Sequence, residues 1–244
     1  MDHSKKRLEV QDLYKAYGGR PVVSGLSFHV GEGEVVGLLG PNGAGKTTAF
    51  YMTVGLIRPD KGRVIFNDQE ITQAPMHERA RMGMGYLAQE PSVFRSLTVE
   101  QNLLCILENL PLTKGERAAR LEELLAELHL EPLAKKRAGA LSGGERRRLE
   151  ITRSLITHPT FLLLDEPFAN IDPISVFELK QMIAHLARKK ISILITDHNA
   201  REIFSIVNRS YLILDGKVLL SGAVDDLIND EEARRTYLGL DFRL

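Results

Sequence analysis

Val35-Val36-Gly37-Leu38-Leu39-Gly40-Pro41-Asn42-Gly43-Ala44-Gly45-Lys46-Thr47-Thr48 decides the fold. Its first five residues are apolar on both faces and bounded by glycine, as a central parallel strand requires. The glycine-rich turn that follows opens a helical stretch, so the spacing stands in the strand–turn–helix context that makes it meaningful. Glycines let successive N–H groups curl inward toward phosphate oxygens, and the helix start adds about half a positive charge. Lys46 is placed to reach the β- and γ-phosphates, and the Thr47 hydroxyl to bind Mg2+. A bare strand-to-helix turn has no use for both the lysine and the hydroxyl pair Thr47-Thr48.

Two later runs look like the first: Phe161-Leu162-Leu163-Leu164 and Ile191-Ser192-Ile193-Leu194-Ile195. Buried strands separated by helices imply an α/β sheet covered on both sides. Before them, residues 8 to 30 read as short alternating strands, with turns at Gly18-Gly19 and Gly31-Glu32-Gly33. Between about 96 and 157 the period changes. Leu121, Leu124, Leu125 and Leu128 mark one helix face, and Leu103, Leu104 and Leu107 another, so a helical block is inserted into the α/β core. A helix is expected near 199–207, then a hairpin over Tyr211–Leu220 turning at Asp215-Gly216, then a charged helical stretch over 225–238.

The second strand ends in Asp165-Glu166-Pro167. Adjacent strand residues face opposite ways, so the two acids are expected to do different work. Asp165 is assigned to the magnesium shell and Glu166 to orienting or deprotonating the attacking water. The third strand ends in Thr196-Asp197-His198, at the sheet edge where ligands of such folds gather. That makes His198 a candidate γ-phosphate contact, although a histidine taken alone is more often structural. ATP with Mg2+ is the expected ligand pair.

Ser142-Gly143-Gly144-Glu145 forms a capping box at a helix start. Two consecutive glycines there are costly unless another backbone comes close, and exposed amides at that end suit an anion. One chain then carries two phosphate-type sites for one nucleotide. The surplus suggests that the second serves a neighbouring copy.

The chain has 244 residues, 43% of them hydrophobic and 26% charged, with 32 Lys+Arg against 32 Asp+Glu. A core needs no disulfide or metal at this length, since roughly 70–75% of the unfolded surface can be buried. Zero net charge argues against a globally basic nucleic-acid binder. Cys105, the single cysteine, lies in an apolar stretch and is expected to be a buried thiol in a reducing compartment. The start is basic but leads into no apolar run, so no secretory signal is expected, and no segment reaches the ~18 apolar residues of a membrane span.

These motifs resemble those of the ATP-binding-cassette ATPases over essentially the whole chain. Gly40, Pro41, Asn42, Gly43, Ala44, Gly45, Lys46 and Thr47 match the Walker A, Leu141 to Glu145 the signature, Phe161 to Pro167 the Walker B, and His198 the switch histidine. Gln89 resembles the Q-loop glutamine, which in the family touches Mg2+ and the coupling interface. Tyr17 matches the aromatic residue that stacks on adenine, and Asn170-Ile171-Asp172 the D-loop. The resemblance implies a P-loop NTPase (RecA-like) core with an antiparallel β subdomain and an inserted α-helical subdomain, all one domain over 1–244. It also implies a head-to-tail homodimer, each ATP held between one chain's Walker A and the partner's Ser142, Gly143 and Gly144.

Further residues narrow the resemblance. Gly144-Glu145-Arg146-Arg147-Arg148, Asp172-Pro173-Ile174-Ser175, and the tail Tyr237-Leu238-Gly239-Leu240-Asp241-Phe242-Arg243-Leu244 are similar to the lipopolysaccharide-export ATPases of Gram-negative bacteria. That resemblance implies integral membrane subunits docked on Gln89 to Arg95, with Phe94-Arg95 in the receiving groove. It places the chain in the cytoplasm, peripheral on the inner membrane. Branched-chain amino-acid importer ATPases share much of the pattern. Ala88 stands where proline is usual before the glutamine, and Asn170-Ile171 where glycine-valine is usual. Lys135, Lys136, Arg137, Arg146, Arg147, Arg148 and Arg153 form a basic cluster that could meet nucleic acid. A solvated helix face is the stronger expectation, with Arg146 and Glu150 spaced to pair, so no nucleic-acid partner is expected.

Overall fold

The computed structural model describes residues 6–242; the basic start at 1–5 and the tail residues Arg243 and Leu244 lie outside the described residues. β1 (Lys6–Tyr17) and β2 (Arg20–Gly31) form one long antiparallel hairpin, where shorter strands were expected. Gly18 and Gly19 turn it at φ 55° and 79°, the left-handed values that a tight hairpin demands. β3 (Val35–Leu39) and α1 (Lys46–Val54) follow, then β4 (Lys61–Phe66), β5 (Gln69–Glu70), α2 (Met76–Arg81) and β6 (Met84–Leu87). Next come α3 (Val99–Leu107), α4 (Lys114–Glu127), α5 (Gly143–Ser154), β7 (Phe161–Asp165), α6 (Pro173–Arg188) and β8 (Ser192–Thr196). α7 (Ala200–Phe204), β9 (Arg209–Leu214), β10 (Lys217–Gly222) and α8 (Val224–Asn229) precede the tail.

The strands form a four-stranded antiparallel sheet, β2-β1-β4-β5, and a six-stranded sheet, β10-β9-β3-β8-β7-β6. In the larger sheet β9, β3, β8, β7 and β6 run parallel, and β10 turns back antiparallel at Asp215-Gly216. Strand alternation divides the core in two. Val36 and Leu38 of β3, with Phe161 and Leu163 of β7, face α1 and the smaller sheet; Val35 and Leu39, with Leu162 and Leu164, face α3 to α6. Each fully buried Leu or Phe contributes about 1.5–3 kcal/mol, and Phe66 meets Phe161 edge-on at 6.0 Å to join the sheets.

Arg79 anchors α1 from its far end. It is 1% exposed and donates to the carbonyls of Met52 and Thr53 at 2.9 and 2.6 Å, and to those of Ala74 and Thr72. A cation at a helix C-terminus is well placed; burial nevertheless pulls its pKa down to about 10.

Several expectations change. Cys105 is half-buried, because Leu103 and Leu107 occupy the inner face of α3 and Cys105 lies off it. The helix after Asn199 is only five residues long, and the expected 225–238 helix breaks after Asn229 and ends in a π-helical turn over Arg234–Leu238. Arg146 does not take Glu150. The buried pair is Arg147–Glu150 at 3.2 Å, three residues apart. Lys135 pairs with Glu100, Lys136 with Glu145 and Arg148 with Glu178, so much of the basic cluster is neutralised within the fold.

Candidate active site

Strand register brings the chemistry together. Leu87 pairs with Leu164, Asp165 with Thr196 and Leu38 with Thr196, so the carboxyl ends of β6, β7, β8 and β3 finish level. Whatever follows each strand must therefore gather at one edge. Gly40 follows β3, Glu166 follows β7, Asp197 and His198 follow β8, and Gln89 follows β6 by two residues.

The loop after β3 is shaped by two glycines that cannot be replaced. A Cβ on Gly40 would stand 2.1 Å from the Ile213 carbonyl, and one on Gly45 2.6 Å from that of Val22. Gly43, at φ 81°, faces open space instead. Gly45 caps α1 with no side-chain hydrogen bond, and no acid stands in the first turn, so the helix presents bare amides. Lys46 Nζ donates to the Gly40 and Pro41 carbonyls at 2.7 and 2.8 Å, spanning the loop it is to share with phosphate. Burial lowers its pKa, while Glu166 and Asp197 oppose that shift. Ala44 is buried, Asn42 and Thr47 are exposed, and Pro41 and Thr48 are half-buried. The hairpin end of β1–β2 leans on this loop through Val22, and Tyr17 beside it is 47% exposed, with Lys15 Nζ 5.7 Å from its ring centre.

Asp165 and Glu166 do part company. Asp165 is buried and accepts from Thr196 Oγ1 at 2.7 Å through Oδ1, while Oδ2 is buried with no hydrogen-bond partner among the described residues. Burial raises its pKa, as it does that of Asp197. Glu166 takes a left-handed backbone at φ 43°, a strained position for glutamate of the sort found at functional sites. Its Oε2 accepts from Gln89 Nε2 at 2.8 Å and lies 3.5 Å from His198 Nδ1. Gln89, Glu166 and His198, predicted from three separate stretches, thus meet at one carboxylate oxygen. They border a cleft of about 530 Å³ whose other wall includes Asn170 and Ile171.

The bare Oδ2 of Asp165 tests whether Mg2+ fits. A buried acceptor with no donor costs about 1–3 kcal/mol, and a hard cation removes that cost. Thr47 and Gln89, the other two residues expected around the ion, carry a hydroxyl and an amide oxygen that a hard cation accepts.

Ser142 stands elsewhere, at the head of α5. The capping box is formed in full: Glu145 N donates to Ser142 Oγ at 3.1 Å, and Ser142 N to Glu145 Oε2 at 2.7 Å. Gly144 has a reason within its own chain, since a Cβ there would meet Ser175 Oγ at 2.1 Å. The glycine pair therefore needs no visiting backbone at Gly144; a Cβ at Gly143 would stand 3.3 Å from a methyl of Ile171 and 3.5 Å from the Asn170 carbonyl, a tight fit rather than a clash.

Sequence reasoning missed Arg147, which looked like one charge in a basic run. It is buried, and donates to the Ala88 carbonyl at 2.7 Å, to the Asp165 carbonyl at 2.9 Å and to that of Glu166 at 3.3 Å. One guanidinium from α5 thereby ties the segment of Gln89 to that of the two acids. The Asn170 departure is also explained: its φ of 58° is the left-handed value that glycine tolerates, and Asn is among the few other residues that adopt it readily.

Comparison with known proteins bears on the family and the fold. The family described as ABC transporter matches residues 23–169. The lipopolysaccharide export system ATP-binding protein LptB of Acidithiobacillus ferridurans is 54% identical over 97% of this chain and 98% of its own length. LptB of Escherichia coli strain K12 is 49% identical over 97% of this chain and 99% of its own. Among solved structures, the ADP conformation of MJ1267, an ATP-binding cassette of an ABC transporter, superposes with a TM-score of 0.88 at 26% identity, covering 97% of this chain and 100% of that one. CbiO1 of Clostridium perfringens gives 0.86 at 28%, covering 95% and 94%. With its P-loop NTPase core, its antiparallel sheet and its helical block, the chain belongs to the ABC transporter family, as an ATP-binding ATPase cassette.

Proposed function

We propose that the chain hydrolyses Mg-ATP between two head-to-tail copies of itself and so drives integral membrane subunits that extract lipopolysaccharide from the inner membrane. The meeting of Gln89, Glu166 and His198 beside the Lys46 loop carries the hydrolytic reading. The cargo rests on similarity to the lipopolysaccharide export proteins LptB, which are about half identical over nearly their full length.

Loop amides from Gly43 to Thr48 and Lys46 bind the β- and γ-phosphates, and Tyr17 stacks on adenine. Mg2+, when bound, neutralises charge on the phosphate oxygens; Thr47, Gln89 and Asp165 would hold it. Glu166 orients the attacking water and accepts its proton, and His198 contacts the γ-phosphate. Gln89 shares Oε2 of Glu166 in the described conformation, so movement of the Gln89 segment changes how free that oxygen is. The same segment runs on to Phe94, which is 50% exposed with the Arg153 guanidinium 5.3 Å from its ring centre. Gln89 to Arg95 is accordingly the surface offered to the membrane subunits. Ser142, Gly143 and Gly144 close on the partner's nucleotide.

Residues 1–244 act as one cassette, with about 96–157 as its helical subdomain. No helix among the described residues is long and apolar enough to cross a membrane. The similarity to LptB supports a peripheral position on the cytoplasmic face of the inner membrane, held by the membrane subunits.

Phosphate release tests the hydrolytic reading. The full chain should release phosphate from Mg-ATP at least about 100-fold faster than a Lys46→Ala variant, as expected for loss of positioned phosphate contacts. Equal rates, with membrane subunits supplied, would overturn it.

A further inference from the structure

Tyr237 lies in a segment of unusual winding. Arg234–Leu238 form a single π-helical turn, in which Gly239 N donates to the Arg234 carbonyl at 2.8 Å before the chain leaves at φ 93°. Such turns are rare, break the regular helical spacing of side chains, and recur at functional sites. The Tyr237 hydroxyl donates to the backbone carbonyl of His198 at 3.3 Å, and the backbone of Gly40 faces the same oxygen. Burial pushes the phenol up to about 12, so it remains a hydrogen-bond donor at neutral pH.

The rest of the tail grips the same region. Phe242 packs edge-on against Phe204 of α7 at 5.9 Å, and the Arg201 guanidinium lies 5.6 Å from the Phe242 ring centre. Arg234 donates to the Ile228 carbonyl at 3.2 Å and also to that of Leu240, fastening the segment to itself. The His198 side chain is 60% exposed, with Nδ1 3.5 Å from both Glu166 and Asp197. Beyond those two carboxylates the ring is largely open to solvent, and among the described residues Tyr237 is the side chain that bonds the His198 backbone carbonyl.

We propose that Tyr237 is a positioning residue for hydrolysis: its hydroxyl holds the His198 backbone against Gly40, which keeps the imidazole at the γ-phosphate end of the site. The proposal rests on His198 being a phosphate contact. It adds a function to the tail that sequence resemblance leaves as a family marker.

Tyr237→Phe keeps the ring and removes only the hydroxyl. Steady-state hydrolysis, thermal melting and histidine NMR on the purified full chain, with His198→Ala alongside, give the test. Tyr237→Phe should lower kcat about fivefold, the size of one lost hydrogen bond. KM for ATP should stay within about twofold, and the melting temperature should fall by no more than about 2–4 °C, the shift that one lost hydrogen bond gives a chain of this size. The imidazole signal that disappears in His198→Ala should be displaced in Tyr237→Phe. Unchanged kcat in Tyr237→Phe beside an impaired His198→Ala overturns the proposal alone. A fall in kcat matched by loss of folded protein, with the His198 signal unmoved, overturns it as well. Full activity in His198→Ala overturns the site reading on which it rests.

Discussion

Asp165 keeps one satisfied oxygen and one bare buried oxygen, and its folded-state pKa is raised above the unfolded value by burial. The sign of the consequence follows from linkage: the folded chain binds this proton more tightly than the unfolded chain. The carboxylate therefore subtracts stability at neutral pH, and the penalty disappears as pH falls through the raised pKa toward the unfolded one. Asp165→Asn should remove it at all pH values. The amide keeps an oxygen for Thr196, so the melting temperature should rise by about 2–4 °C for each ~1 kcal/mol recovered, while hydrolysis is lost. A lower melting temperature by calorimetry would show that the charge is stabilised by contacts other than those described. Glu166, at φ 43°, adds backbone strain at the same edge. The residue scale was legible only in part. Lys46, Glu166 and His198 announce themselves by type and by the strand end that each follows. Arg147 does not, because a cation in the run Arg146-Arg147-Arg148 looks solvated until the carbonyls of Ala88, Asp165 and Glu166 are seen around it.

At the scale of elements, β3, β7 and β8 were readable because their faces are uniformly apolar, and the β9–β10 hairpin because Asp215-Gly216 marks its turn. β4, β5, α2 and β6 gave no comparable signal. They are short, and their places are set by pairing with distant strands, β4 with β1 and β6 with β7. The segment joining β6 to α3 presents Phe94 through a fixed backbone. Asn102, fully buried in α3, accepts from Phe94 N at 2.8 Å and donates to the Phe94 carbonyl at 3.1 Å. An exposed aromatic ring on so rigid a support has the character of an interface anchor. Phe94→Ala should leave hydrolysis by the isolated chain within about twofold and weaken capture of the membrane subunits by about tenfold or more. Undiminished recovery of those subunits in pull-down from detergent extracts would place the docking surface elsewhere.

For the whole molecule, the proposed function has two chains sharing two nucleotides, each held between one chain's Lys46 loop and the partner's α5 start. The α5 start that would meet the partner's nucleotide is already capped by Glu145, and Gly144 is explained by Ser175 within the chain. Shape alone therefore does not force the pairing. ATP has to bind the closed pair more tightly than the separate chains, which is what any ligand-driven closure requires. Glu166→Gln isolates that step. It retains the phosphate loop, Lys46 and the length and planar outline of the side chain, and it removes the carboxylate that accepts the proton, which typically slows such chemistry by ~10²–10⁴. Sedimentation of Glu166→Gln with saturating ATP and Mg2+ is the most direct measurement. A dimer should form with ATP, dissociate when the nucleotide is replaced by ADP, and be absent in Lys46→Ala. A chain that stays monomeric when saturated with Mg-ATP, and whose two copies fail to crosslink within the membrane assembly, would contradict this pairing.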